Sequence, residues 1–388
     1  MYTRAEYLSI ATVIGTVVGA GIFGLPYIAA QAGFLTVAVY IVVLGAMVAA
    51  MHLMYGEIVL RTKDHHFLPG YAARYLGPWG KRLALAFIVP GLLGTLLAYG
   101  IIGGHFIVIL LAGILPDNAF LYGFLFSIAC LFLVMGRIKL LAELELGVVA
   151  LLLLTVVGLT LGAMPFFDLT NITSGPITTL PWLFLPYGVV LYAVSGFESI
   201  PEVREIFEAT PDGRRSSYVK AILTGTLIPA FIYIIFTAAV LGVTGARTTE
   251  DALQGLAQSP VIDGVVRLAA LFGLLAIIGG YMVMADNLKK ILWYDLGLPK
   301  VLSWLAVFGI TLIIYLFNHE NFVTIIGVVG AIAGGLGGVM TVLIHHRARR
   351  QGNRQPEYRV PLSTALGAVM ILLFVLGAGY QLWTLFSG

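Results

Sequence analysis

Inside the apolar run TVIGTVVGAGIFGLPYIAAQAGF, residues 12–34, five glycines and Pro26 stand where an unbroken membrane helix would carry leucine. Hydrocarbon supplies no hydrogen bonds, so unwound backbone survives at that depth only where protein buries it or where it lines a cavity. The segment Gly19-Ala20-Gly21 therefore reads as a binding site. Its freed amides, and the N-terminus of a half-helix beginning near Ile22, would present partial positive charge to an anionic group such as a carboxylate. Close packing through small residues accounts for Gly15 and Gly19 but leaves Gly21, Gly24 and Pro26 without a purpose. A second interruption, Ser195-Gly196 followed by Pro201, breaks LPYGVVLYAVSGFESIPEVREIF. Glu198 adjoins it, and an ionisable group at membrane depth costs about 2.5–3.5 kcal/mol on insertion scales and so defaults to a functional candidate. Glu198 is the first candidate for proton coupling and His105, in GIIGGHF, the second. Glu202 and Glu205 follow Glu198 on one helical face, which assigns them to a cytoplasmic gate with Arg4 or with lysines of a later segment.

These residues need a membrane scaffold, and the composition supplies one. The chain is 60% hydrophobic and 11% charged, with mean hydropathy +0.99, against about 25% charged residues in soluble domains. At about 20 residues per span, the apolar runs predict eleven helices near 7–31, 34–60, 83–113, 119–136, 140–164, 181–203, 219–243, 262–288, 301–317, 321–344 and 362–386. With the N-terminus inside, all but two of the 22 Lys and Arg, Arg247 and Arg267, fall on the cytoplasmic side, which puts the C-terminus outside. The plasma membrane is the expected location. The start MYTRAEYLSI lacks a signal-peptide pattern, so residue 1 is expected to begin the mature chain. No loop is long enough for a soluble domain. A net charge of +3 gives no reason to expect nucleic-acid binding, and the basic stretch Arg347 to Arg359 is a topogenic linker that would lie near anionic headgroups. His65-His66 and His345-His346 lack the company of a metal site, no cofactor is expected, and no motif supplies an activated nucleophile, so the chain does not read as an enzyme.

The two interrupted segments lie five spans apart and run in opposite directions, the mark of an inverted repeat with a site at the bilayer midplane. The expected fold is all-α integral membrane, with one repeat near 7–164, a second near 181–344 and an extra helix near 362–386. The stretch GAGIFGLPYIAAQAGF resembles the first helix of the amino acid/auxin permease branch of the amino acid, polyamine and organocation transporter superfamily. FESIPEVREIF resembles the sixth helix of that branch, while SGFE, RRSSYVKAILTG and EYRVPL resemble the amino acid permease branch. The resemblance implies alternating access, with a substrate carboxylate held by the amides of Gly19, Ala20 and Gly21 and an amino group held by carbonyls around Val17, Val18, Tyr192, Ala193 and Ser195. Opposed half-helix ends suit a zwitterion on physical grounds as well.

Sodium-coupled members of the superfamily place the ion between carbonyls matching Gly15 and Val18 and hydroxyls of helix 8. Here that helix has no Ser or Thr from Leu268 to Asp286, and Tyr281 is its single hydroxyl. A hard cation wants several oxygen ligands, so sodium independence is expected. The lysine that some relatives carry in mid-helix 5 is also missing, since GVVALLLLTVV is apolar there. Ile22, Phe23, Tyr99, Gly103, Gly196, Phe197, Ala276 and Gly279 are expected around the substrate side chain, and their apolar character favours neutral amino acids. The function expected is secondary transport of neutral L-amino acids, proton-coupled or by exchange, with the bilayer and a small amino acid as partners. An amino acid-sensing receptor of the same fold and a cation transporter are the alternatives.

Overall fold

In the computed structural model the described residues are 2–135, 139–173, 184–212, 217–259, 261, 263–317, 321–361 and 363–387. They are helical throughout, with no strand among them. In chain order the principal helices are α1 Arg4–Val17, α2 Gly21–Ala32, α3 Phe34–Arg61, α4 Leu68–Leu111, α5 Ala119–Leu133, α6 Lys139–Ala163, α7 Pro186–Val194, α8 Ile200–Ala209, α9 Tyr218–Thr244, α10 Asp263–Lys290, α11 Lys300–Phe317, α12 Phe322–Gln351 and α13 Thr364–Ser387. Among the described residues seven helices are individually long and apolar enough to cross a bilayer, eight if the bent pair α1 and α2 counts as one span. The helices follow the order of the eleven expected segments, but among the described residues α5, α6 and the split pair α7 and α8 do not meet that criterion.

Local chemistry sets the helix ends. Thr3 and Glu6 form a reciprocal capping box at the start of α1, and Asn118 and Ser217 cap α5 and α9 through their side chains. Gly33, at φ 86°, turns the chain from α2 into α3 without the steric cost another residue would meet. Gly77, at φ 80°, divides α4 into a short N-terminal piece and the long helix after Pro78.

The core is continuous and is built mainly from α1, α2, α3, α4, α7, α9, α10 and α12, while α11 and α13 contribute one face each, with Tyr315 and Phe374 buried, and expose large side chains such as Ile313 and Leu372 on the other. Where core helices meet, the partners are often glycine and backbone. A Cβ on Gly188 of α7 would collide with the Gly327 carbonyl of α12, and one on Gly330 would collide with the Gly188 carbonyl. Polar ties cross the core at the end that carries the N-terminus. Arg204 of α8 donates from Nη1 to the Val59 and Thr62 carbonyls, at 3.0 and 2.7 Å, and from Nη2 to that of Lys63. These carbonyls lie at and just beyond the C-terminus of α3, where a cation also meets the negative end of the helix dipole. His52 of α3 meets Thr226 of α9 at 2.9 Å.

Candidate substrate site at the two helix breaks

The first break spans residues 18–20, and α1 and α2 meet there at 51°. The Val18 amide closes on the Ile14 carbonyl at 2.7 Å and the Gly19 amide on the Val17 carbonyl at 3.0 Å. Among the described residues no acceptor takes the amides of Gly21 and Ile22. Of the three amides expected to be open, Gly21 remains so and Ile22 joins it, while a tight turn absorbs the Gly19 N–H; α2 starts at Gly21 rather than near Ile22.

The second break satisfies more of itself. The Ser195 amide donates to the carbonyls of Leu191 and Tyr192, its Oγ donates to Leu191 at 2.6 Å, and Ser199 donates to the Gly196 carbonyl from both its amide and its Oγ. A single 3-10 turn, Phe197–Ser199, leads into α8, whose first turn accommodates Pro201. The Tyr192 carbonyl expected to receive an ammonium is therefore partly committed to its own turn.

The two breaks touch. A Cβ on Gly21 would lie 2.7 Å from the Cα of Ala193, and one on Gly196 would run into the Val17 side chain. Tyr233 of α9, fully buried, directs its hydroxyl at both the Val17 carbonyl (2.8 Å) and the Ala193 carbonyl (3.0 Å). The carbonyls of Val17 and Ala193, expected to be free for an amino group, already have this partner. Between the breaks lies a cavity of about 60 Å³. Of the residues expected there, Val17, Gly19, Gly21, Tyr99, Tyr192, Ser195, Phe197 and Glu198 line it. The Tyr99 hydroxyl fills the space beside Gly19, and the buried Tyr192 hydroxyl lies beside those of Tyr99 and Thr95.

The tryptophan/tyrosine permease family matches residues 4–383. The chain belongs to that family. It is an amino acid transporter of the membrane and not an enzyme. It is 24% identical over 394 residues to tyrosine-specific transport system 1 of Haemophilus influenzae, covering 95% of this chain and 92% of that one. The crystal structure of MhsT in complex with L-phenylalanine shares the fold, with TM-score 0.65 over 99% of this chain and 98% of that one at 15% identity.

Other expected site residues of the transporter fall elsewhere. Val18, Ala20, Ala193 and Gly196 stand in the walls of the breaks without lining the cavity. Ile22 and Phe23 border a separate void of about 20 Å³. Phe23 also stacks edge-on against Phe106 and Phe236, with centroids 4.7 and 5.8 Å away, closing the side remote from the N-terminus with apolar rings. Gly103 faces the Phe126 ring, and Ala276 and Gly279 lie outside the lining. In their place α4 presents Ile88, Gly91, Leu92 and Thr95, a single face continuing from Tyr99 toward the N-terminal side rather than away from it. Met284 of α10 and Val329, Gly330, Ala333 and Gly334 of α12 complete the wall. The glycine-rich run GAIAGGLGG, residues 330–338, was the sequence signal for that last group, and its first five residues form a π-helical turn.

The candidate proton and gate residues separate as well. His105 is outside the cavity, with Nδ1 3.0 Å from the buried Asp251 carboxylate. Among the described residues Arg4 is not paired with Glu202 or Glu205, whereas Lys290 of α10 lies within electrostatic reach of both. Arg4 gives its backbone amide to Asp212 at 2.7 Å, Glu205 lies 3.7 Å from His65, and Asp286 binds Lys289 and Lys290 of its own helix. The buried acid at the N-terminal end of α1 is Glu6, which accepts from the Ser217 amide and from Lys220. Tyr281 packs its ring against Phe126 and sets its hydroxyl beside Ser127 of α5, and it is not among the cavity-lining residues.

Proposed function

We propose that the chain is a secondary transporter of aromatic amino acids, of the tyrosine and tryptophan class, working by alternating access of two inverted repeats without sodium. The observation that carries this reading is the contact of the two helix breaks around one cavity, with unpaired amides at Gly21 and Ile22 on one side and aromatic and hydroxyl groups on the other. Those amides open α2 and suit a carboxylate. Tyr99 and Phe197 bring aromatic rings to the lining, and the neighbouring Tyr192 and Thr95 hydroxyls suit a phenol or an indole N–H. A site built to hydrogen-bond a polar group discriminates against analogues that lack it, because its own group is then left unpaired. At about 60 Å³ the cavity is smaller than the ~150 Å³ that holds a benzene ring, so an aromatic substrate requires the lining to move.

The positive-inside distribution supports a cytoplasmic N-terminus in the plasma membrane. The lack of clustered oxygen donors on α10 favours coupling to protons or exchange, with Glu198, the cavity's own carboxyl, as the coupling group. The test is uptake by purified protein in liposomes across labelled tyrosine, tryptophan, phenylalanine, leucine and lysine, with sodium and pH gradients imposed separately. Tyrosine or tryptophan should accumulate under a pH gradient or by exchange and not under sodium alone. Uptake of leucine equal to that of every aromatic substrate would overturn the aromatic assignment, and accumulation driven by sodium at constant pH would overturn the coupling.

A further inference from the structure

Beyond the substrate site, a groove of about 610 Å³ opens between the C-terminal end of α12 and the start of α13. Its upper wall carries Arg347, Arg349 and Arg350, all exposed and, among the described residues, without a carboxylate partner. The nearby Glu357 is taken by Arg354. The lower wall is apolar, with Leu343 and Ile371 among its residues, and it continues onto the exposed face of α13 that carries Leu372 and Val375. A cationic rim above an apolar trough at the end of two spanning helices is complementary to one kind of molecule, an amphiphile with an anionic head.

The groove is also held in shape. Glu57, buried near the end of α3, accepts from His345 Nε2 at 2.8 Å and from the Val360 amide at 2.7 Å, with Arg61 on its other oxygen at 2.8 Å. The Tyr358 hydroxyl donates to the Leu53 carbonyl at 2.7 Å, and the Asn353 and Arg354 amides both donate to the Arg61 carbonyl. The linker from α12 to α13 is thereby pinned to α3, which fixes where α13 begins. We propose that this groove is a binding site for an anionic glycerophospholipid. The phosphodiester sits among the three arginines and one acyl chain runs along Leu343 and Ile371.

The test uses the purified full chain in detergent, with dioleoylphosphatidylglycerol as the probe, dioleoylphosphatidylcholine and inorganic phosphate as controls, and bound lipid read by native mass spectrometry. The parent should retain phosphatidylglycerol in preference to phosphatidylcholine. The double variant Arg347→Gln, Arg350→Gln should bind it about thirtyfold more weakly, at roughly fivefold for each arginine near an anionic headgroup. Ala368→Trp, at an exposed position in the apolar wall, should also lose the lipid although every charge remains. Unchanged phosphatidylglycerol binding in the arginine variant overturns the proposal, as does equal retention of phosphatidylcholine. Displacement of the lipid by inorganic phosphate, together with unchanged binding in Ala368→Trp, would make this a free-anion site and overturn it too. All three positions are exposed, and circular dichroism with size-exclusion elution would verify that each variant is folded.

Discussion

The break at residues 18–20 and the break at 195–196 look alike as sequence, each a glycine-bearing interruption followed by a proline, yet they do different things. The first leaves backbone donors open at the start of α2, while the second closes its turn with Ser195 and Ser199 and adds a carboxyl group, Glu198, to the cavity wall. An unwound segment in a membrane must find hydrogen bonds somewhere, and how many it finds locally decides how many remain for a ligand. The glycines differ in a related way. Gly21 permits the close approach of Ala193, so the absent side chain makes room for a helix rather than for the substrate alone.

The contact between the breaks gives the largest expected effect. Gly21→Leu should abolish transport and also lower the thermal midpoint, since overpacking of a dense core costs about 1–3 kcal/mol and here the obstruction is backbone. Uptake and a thermal melt on the same preparation check this. Normal uptake with an unchanged melt would mean that the breaks are not in contact.

The asymmetry in titratable groups predicts the next effect. Glu198→Gln should flatten the pH profile of uptake over the range in which carboxyl and imidazole groups titrate, while exchange of bound substrate persists, because the amide keeps the shape and loses the titration. A parent-like profile would move proton coupling to the His105–Asp251 pair or remove it altogether.

The smallest effect sharpens the comparison most directly. Tyr233→Phe deletes the one hydroxyl shared by Val17 and Ala193, and should cost about 1–3 kcal/mol of stability through the buried carbonyl left unpaired. The melt should shift down for Tyr233→Phe, while Tyr294→Phe, at an exposed ring, should shift it little. Equal shifts would show that Tyr233 does not join the breaks.

The contrast between the breaks also explains what could be read before folding. Both interruptions, the order of the helices and the membrane character were legible, because each is written in consecutive residues: glycine and proline against an apolar background. Eight of the expected site residues do line one cavity. The misplacements share a cause. Gly103, Ala276 and Gly279 were assigned to the correct helices but the wrong face. Helices of a membrane core are apolar on all sides, so no amphipathic stripe reports their rotation about their own axes.

The sequence by itself determined where the backbone must break and that lipid must surround it, since helix breaking and hydrophobicity are local properties of the chain. Only the tertiary structure decided which amides stay open, which face of α4 meets them, and that Tyr233, some 216 residues from Val17, bridges the two breaks. Those outcomes depend on packing between segments remote in sequence, where a single hydroxyl or a missing Cβ settles how closely two helices approach, and no local pattern encodes that distance.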